Sequence, residues 1–122
     1  MEAKVNEVVL NGVEYVRKDS IEINQKAESM DGMEYCVVRT YSAGVHIGYV
    51  KRREGQDADL VNSRRLWSWD KAASLSQVAM EGCNTKKFAM VLPFITLTDV
   101  IEVIPCSQKA KTRLEALPEW KA

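Results

Sequence analysis

The run Arg64-Arg65-Leu66-Trp67-Ser68-Trp69-Asp70-Lys71-Ala72-Ala73-Ser74-Leu75-Ser76-Gln77 gathers residue types that could recognise a nucleotide. Two arginines and two tryptophans sit on an extended stretch that feeds into a helix start. Strand alternation places Arg65, Trp67 and Trp69 on one face and Arg64, Leu66 and Ser68 on the other. Trp beside Arg offers a stacking surface for a base, and the guanidinium fork suits phosphate. Helix-start N–H groups suit an anion. Ser74, Ser76 and Gln77 would add hydroxyl and amide groups. A plainer reading covers the same residues. Two Trp on one strand face suit a core or an interface, Arg64-Arg65 suits an exposed strand end, and Ser74 and Ser76 suit helix caps or solvent.

A second constellation, Arg39-Thr40-Tyr41-Ser42-Ala43-Gly44-Val45-His46, puts Arg39 and Tyr41 on one face beside a turn of small residues. It reads as a ligand-binding turn or as a tight hairpin with Gly44 at positive φ. Catalytic templates fail. His46 is the single histidine, nothing orients it toward Cys36, Cys83 or Cys106, and there is no GxxxxGK[ST], GxGxxG or HExxH. Asp57, Asp59 and Asp70 are candidate carboxylates of the kind usually solvated in turns. No CxxC occurs, so neither a metal nor any other cofactor is expected. Lys51-Arg52-Arg53 reads as a solvated strand tip.

These residues need elements to hold them. The 122-residue length fits one domain over residues 1–122, and 46% hydrophobic residues suffice for a core. Formal net charge is zero, which argues against a bulk nucleic-acid binder and eases self-association. The opening Met1-Glu2-Ala3-Lys4 leads into an apolar run too short for a signal peptide, and Pro93 interrupts the longest apolar run, Phe88 to Leu97. A cytoplasmic protein with reduced thiols and no membrane segment is expected.

Val8-Val9-Leu10 and Val13 to Val16 flank Asn11-Gly12, which reads as a hairpin over residues 5–16. Residues 18–33 read as a loop carrying Asp31-Gly32. Glu34 to Tyr41, Val45 to Arg53 and Ala58 to Trp69 read as three strands joined by short turns, an antiparallel meander. Ala72, Leu75, Val78 and Ala79 recur at helical spacing over about 71–82, with Gly82 as C-cap. Phe88 to Leu92 and Leu97 to Ile104 read as two further strands separated by Pro93. Ser107 can N-cap a short helix through about Leu117, with Ala110 and Leu114 inward. The expected fold is α+β: an antiparallel meander of about five to seven strands with one central helix and a short C-terminal helix.

Further words stand out beside Arg64 to Trp69 and Tyr35 to Val45. They are Ala72-Ala73-Ser74-Leu75-Ser76-Gln77, Met80-Glu81-Gly82, Ile101-Glu102-Val103-Ile104-Pro105 and Pro118-Glu119-Trp120-Lys121-Ala122. From Asn11 onward the chain resembles a family of small phage and prophage proteins, and within it the anti-Thoeris sponges that sequester cyclic ADP-ribose-type messengers. It departs at Asp70-Lys71, where the resemblance would place Asp-Gly, and in a short loop after Gly82. The resemblance implies a homo-oligomer with pockets at subunit interfaces, acting in the cytoplasm of an infected bacterial host.

Three functions are therefore weighed. The leading one is a phage anti-defence sponge that binds a cyclic ADP-ribose-type or cyclic oligonucleotide signal without cleaving it. Its expected ligand-binding residues are Arg39, Tyr41, Arg64, Arg65, Trp67, Ser74, Ser76 and Gln77. The second is a phage protein that inhibits a host protein through Trp67, Trp69 and Trp120. The third is a small phosphodiesterase or nuclease using Asp57, Asp59 or His46.

Overall fold

The computed structural model describes residues 25–122. The hairpin expected over residues 5–16 lies outside the described residues, as does most of the loop expected over 18–33. What is described of that loop contains a two-residue turn. Asp31 and Gly32 both take positive φ, 52° and 80°, and Met30 and Met33 exchange backbone hydrogen bonds across them. Asp-Gly is a favoured pair for that geometry.

Five strands follow: β1 (Glu34–Thr40), β2 (Val45–Glu54), β3 (Asp57–Leu66), β4 (Leu92–Leu97) and β5 (Val100–Pro105). Helix α1 (Leu75–Glu81) lies between β3 and β4, and α2 (Gln108–Glu115) follows β5. The fold is α+β, one antiparallel sheet in the order β4-β3-β2-β1-β5 with a central and a short C-terminal helix. β1 to β3 form the expected meander. Gly44 turns the first hairpin at φ 85°.

The last two strands depart from expectation. Pro93 does not separate strands; it lies inside β4, which the sheet order makes an edge strand, where a missing N–H costs no ladder bond. Phe88 to Leu92 is not a strand of its own. The break falls instead at Thr98-Asp99, and this two-residue link joins strands on opposite edges of the sheet rather than antiparallel neighbours. Two residues reach only about 11 Å from Leu97 to Val100, so the sheet must curl until its edges meet at that end. The backbone records the curl directly. Val100 donates to Gln56 O, just past the end of β2, and pairs with Thr40, beside the start of β2. The result is a half-closed five-stranded barrel.

The curl divides the core in two. Inside it pack Cys36, Val38, Ala58, Leu60, Leu97 and Val100. On the convex face Tyr35, Val37, Ile47, Tyr49, Leu66 and Phe88 pack against Val78 and Ala79 of α1 and Ala110 and Leu114 of α2. Both helices thus bury apolar faces that their 3.6-residue spacing anticipated, but the central one begins only at Leu75, capped by Ser74, and leaves Ala72 in the segment before it. Both are also capped as their sequences suggest, with Gly82 ending α1 at φ 80°.

Ser107 caps α2. Its Oγ accepts from Ala110 N at 3.0 Å and donates to Met80 O at 2.6 Å, joining the two helices at a buried position. Ser107→Ala is expected to cost about 1–2 kcal/mol of unfolding free energy, since a cap and a buried carbonyl both lose their partner. Urea denaturation checks this. A shift below the fitting error would show that the cap carries no weight.

Candidate functional site

β3 ends at Leu66, earlier than the Trp69 expected from sequence. Up to that point the pleat still sets side-chain direction. Arg65 and Trp67 share a side, and the Arg65 guanidinium carbon lies 3.8 Å from the centre of the Trp67 ring. Past Leu66 alternation lapses. Trp69 turns to the helix-covered core with Ala72 and Leu75, so it does not line a surface with Trp67.

The C-terminal segment supplies a residue assigned above only to the protein-binding alternative. Trp120 N donates to Phe88 O at 2.8 Å, which brings its indole to an edge-to-face contact with Trp67, ring centres 6.4 Å apart. Lys87, whose carbonyl accepts from Trp67 N, carries its Nζ 5.9 Å from the Trp120 ring centre. Trp67 is 51% and Trp120 48% exposed, so about half of each ring faces solvent. Arg65, Trp67, Lys87 and Trp120 form a cationic aromatic shelf. The turn carrying Tyr41 borders it: a β-carbon at Gly44 would lie 2.8 Å from Arg65 Nη2. Tyr41 itself is 84% exposed.

The other expected site residues do different work. Arg64 is buried. It donates from Nε to Ala89 O (2.7 Å), from Nη1 to Leu117 O (3.0 Å), and from Nη2 to Phe88 O (3.1 Å) and Pro118 O (2.9 Å). Its guanidinium also lies 3.8 Å over the Phe88 ring centre. Arg64 is therefore the anchor of the chain end that bears Trp120, not an exposed phosphate fork. Ser74 is the N-cap of α1, its Oγ accepting from Gln77 N, and Gln77 Oε1 reaches back to accept from Ala73 N just before the cap. Ser76 is exposed on α1. No hydrogen bond among the described residues ties Ser74, Ser76 or Gln77 to Arg65 or Trp67. Arg39 faces Glu102 at 3.7 Å across the β1–β5 pair.

The residues considered for catalysis are dispersed. Asp59 accepts from Arg52 Nε at 2.9 Å and Thr96 Oγ1 at 2.8 Å, which holds its carboxyl below the usual range. His46 pairs with Arg65 at the other end of β3. The cysteines are buried and unpaired, and burial pushes the Cys36 thiol up to about 12. Among the described residues no cluster of three His, Cys, Asp or Glu could hold a metal ion, and no helix is long and apolar enough to cross a membrane.

His46 lies buried beneath the shelf, its Nε2 3.0 Å from Ala43 O. Burial, with Arg65 adding to it, lowers its pKa below 6.5 despite the Ala43 carbonyl. The unfolded chain therefore binds this proton more readily than the folded one. Its contribution to stability is whole above the unfolded pKa and is lost as pH falls from there through the lower folded pKa. Unfolding free energy should drop as pH falls below about 6.5, and His46→Gln should flatten that slope. Denaturant titrations at several pH values check this; an equal slope in the variant would assign the pH dependence to other groups.

One departure noted from sequence has a backbone reading. Lys71 sits at φ 63°, a conformation that favours glycine, which is the residue the resemblance would place there.

Comparison with known proteins adds a family and little else. No curated protein and no solved structure gives a significant match to the chain. A family model described as Domain of unknown function (DUF6948) matches residues 33–114, about two thirds of the chain. That match takes in all five strands and the shelf residues Arg65, Trp67 and Lys87, and it stops before Trp120. The chain belongs to the Domain of unknown function (DUF6948) family.

Proposed function

We propose that this protein binds a small nucleotide-type ligand and holds it without cleaving it. The observation that carries the reading is the exposed shelf of Arg65, Trp67, Lys87 and Trp120. Indole rings stack bases at about 1–3 kcal/mol each, whatever the base. The two cations offset the charge of a phosphate. No carboxylate, thiol or imidazole poised for attack belongs to the shelf, because His46 is buried beneath it. The resemblance to small phage proteins narrows the ligand to an immune messenger of the cyclic ADP-ribose or cyclic oligonucleotide type, sequestered in the cytoplasm of an infected bacterium. A homo-oligomer belongs to this reading; sedimentation at micromolar concentration checks it, and a lone 13.8 kDa species would remove that part.

Tryptophan fluorescence tests the shelf. Adenosine and ADP-ribose are expected to quench the wild type and to lose most of that effect in Trp120→Ala. Equal quenching in the variant, with circular dichroism unchanged, would move the site elsewhere.

A second reading has its own observation. Met90 and Val91 just before β4, and Leu92 and Phe94 within that edge strand, are exposed, Phe94 at 70%. Such a row of apolar side chains suits a protein partner, with Trp67 and Trp120 as anchors. A protein acting this way would show no retained nucleotide.

A further inference from the structure

A polar cleft of 310 Å³ opens beside the shelf, lined by Ser68, Asp70, Asn84, Thr85, Lys86 and Lys87. Two strand-like segments form its walls. Asp70 and Asn84 exchange backbone hydrogen bonds at 2.7 and 2.8 Å, and Trp67 N donates to Lys87 O at 3.0 Å, so the 67–70 and 84–87 segments run as a short ladder. The floor is rigid. Thr85 is 5% exposed; its Oγ1 lies 2.9 Å from Ser68 Oγ and accepts from Lys87 N at 2.9 Å. Both lysines are exposed, and among the described residues neither has a carboxylate within ion-pair distance. The cleft and the shelf share Lys87, whose Nζ approaches Trp120.

We propose that this cleft takes the ribose-phosphate part of a nucleotide whose base stacks on one of the two shelf indoles and meets the edge of the other. The proposal rests on the shelf reading for the base, and it places the phosphate at the lysine side of the cleft rather than at the α1 start. The side chains divide by chemistry. Lys86 and Lys87 meet phosphate oxygens as charge-assisted donors. Asp70 accepts from ribose hydroxyls, the role a carboxylate plays toward sugar diols in dinucleotide sites. Its single negative charge leaves the lysine pair in excess. The Asn84 amide and the Ser68–Thr85 hydroxyls can donate or accept as the sugar demands.

Two probes separate the parts. Pyrophosphate tests the lysine side of the cleft without a base, and adenosine tests the shelf and the ribose contacts without a phosphate, each titrated by calorimetry at low salt. Pyrophosphate should bind the wild type with an affinity that falls as salt rises, and Lys86→Ala should weaken it about five- to tenfold. Adenosine should bind Lys86→Ala as it binds the wild type. ADP-ribose should bind the wild type tighter than either probe and lose the same factor in Lys86→Ala. Lys86→Gln, which keeps the side-chain stem, should match Lys86→Ala and so excludes lost packing as the cause. Pyrophosphate that fails to bind, or binds Lys86→Ala unchanged, overturns the cleft and leaves the shelf standing. Pyrophosphate binding without adenosine binding overturns the joint site and fails the shelf reading instead.

Discussion

Arg64→Ala is expected to lower the unfolding free energy by about 3–5 kcal/mol, because four hydrogen bonds from a buried charged group to backbone carbonyls are lost with its packing over Phe88. Four carbonyls, those of Phe88, Ala89, Leu117 and Pro118, accept from this one guanidinium. Phe88 O keeps its bond from Trp120 N, but the variant takes the Arg64 donor from the carbonyls of Ala89, Leu117 and Pro118 and opens a void over the Phe88 ring. Arg64→Lys should recover only a minor share, because an ammonium cannot span acceptors arranged around a planar fork. The loss also reaches the shelf. Trp120 hangs from Phe88 O in the segment that Arg64 clamps, so Trp67–Trp120 contact should loosen before the sheet unfolds. Urea denaturation followed by far-UV circular dichroism, with Trp fluorescence in parallel, measures both effects. A loss under 1 kcal/mol would mean the chain end is held by other contacts.

Gly48→Ala is expected to cost about 2–3 kcal/mol, the upper part of the range for overpacking. The reason is closeness rather than backbone freedom. A β-carbon at Gly48 would lie 2.6 Å from both the Cα and the Cβ of Ser63, and 3.2 Å from Asn62 O. Those are fixed backbone neighbours, so the strands themselves must part. The site is also where the sheet bends: the β2–β3 register shifts between Ile47 and Tyr49, opposite Asn62 at φ 50°. Wider spacing there would oppose the curl that lets Thr98-Asp99 join the two sheet edges. Gly55→Ala provides the comparison. That glycine has φ 57° but no atom within 4 Å of an added β-carbon, so only backbone strain of about 1–2 kcal/mol is expected. Thermal and urea unfolding of both variants decide the point; Gly48→Ala milder than Gly55→Ala would contradict a close-packed bend.

What sequence made legible was the local chemistry. Period-2 runs marked β1, β2 and most of β3. Gly44, Gly82 and Ser107 marked a turn and two caps because each encodes its geometry within a few residues. The closure of the sheet was not legible. It depends on Val100 meeting both Thr40 and Gln56 and on register shifts within β1 to β3, such as that at Gly48, that no local pattern announces. The reading of Pro93 as a separator failed for the same reason, since whether a proline breaks a strand depends on edge placement. At the site, alternation joined Arg65 to Trp67. It could not show that Arg64, one residue away, turns inward to four carbonyls, two of them more than fifty residues distant in sequence. Ser74 and Gln77 could have been recognised as helix-start residues, because Ser-x-x-Gln before an apolar helix signals an N-cap. Lys87 and Trp120 lie far from the Arg–Trp run, and only the 67–70 and 84–87 ladder and the Arg64 clamp bring them to it.

Retention of an intact nucleotide is the central claim. The most direct measurement incubates the purified protein with cyclic ADP-ribose, removes unbound ligand by filtration, denatures the protein and analyses what is released by liquid chromatography and mass spectrometry. The account predicts that the wild type releases the cyclic nucleotide unchanged in stoichiometric amount, and that folded Trp120→Ala retains little. Release of a hydrolysed product, or equal retention by wild type and Trp120→Ala, would contradict it.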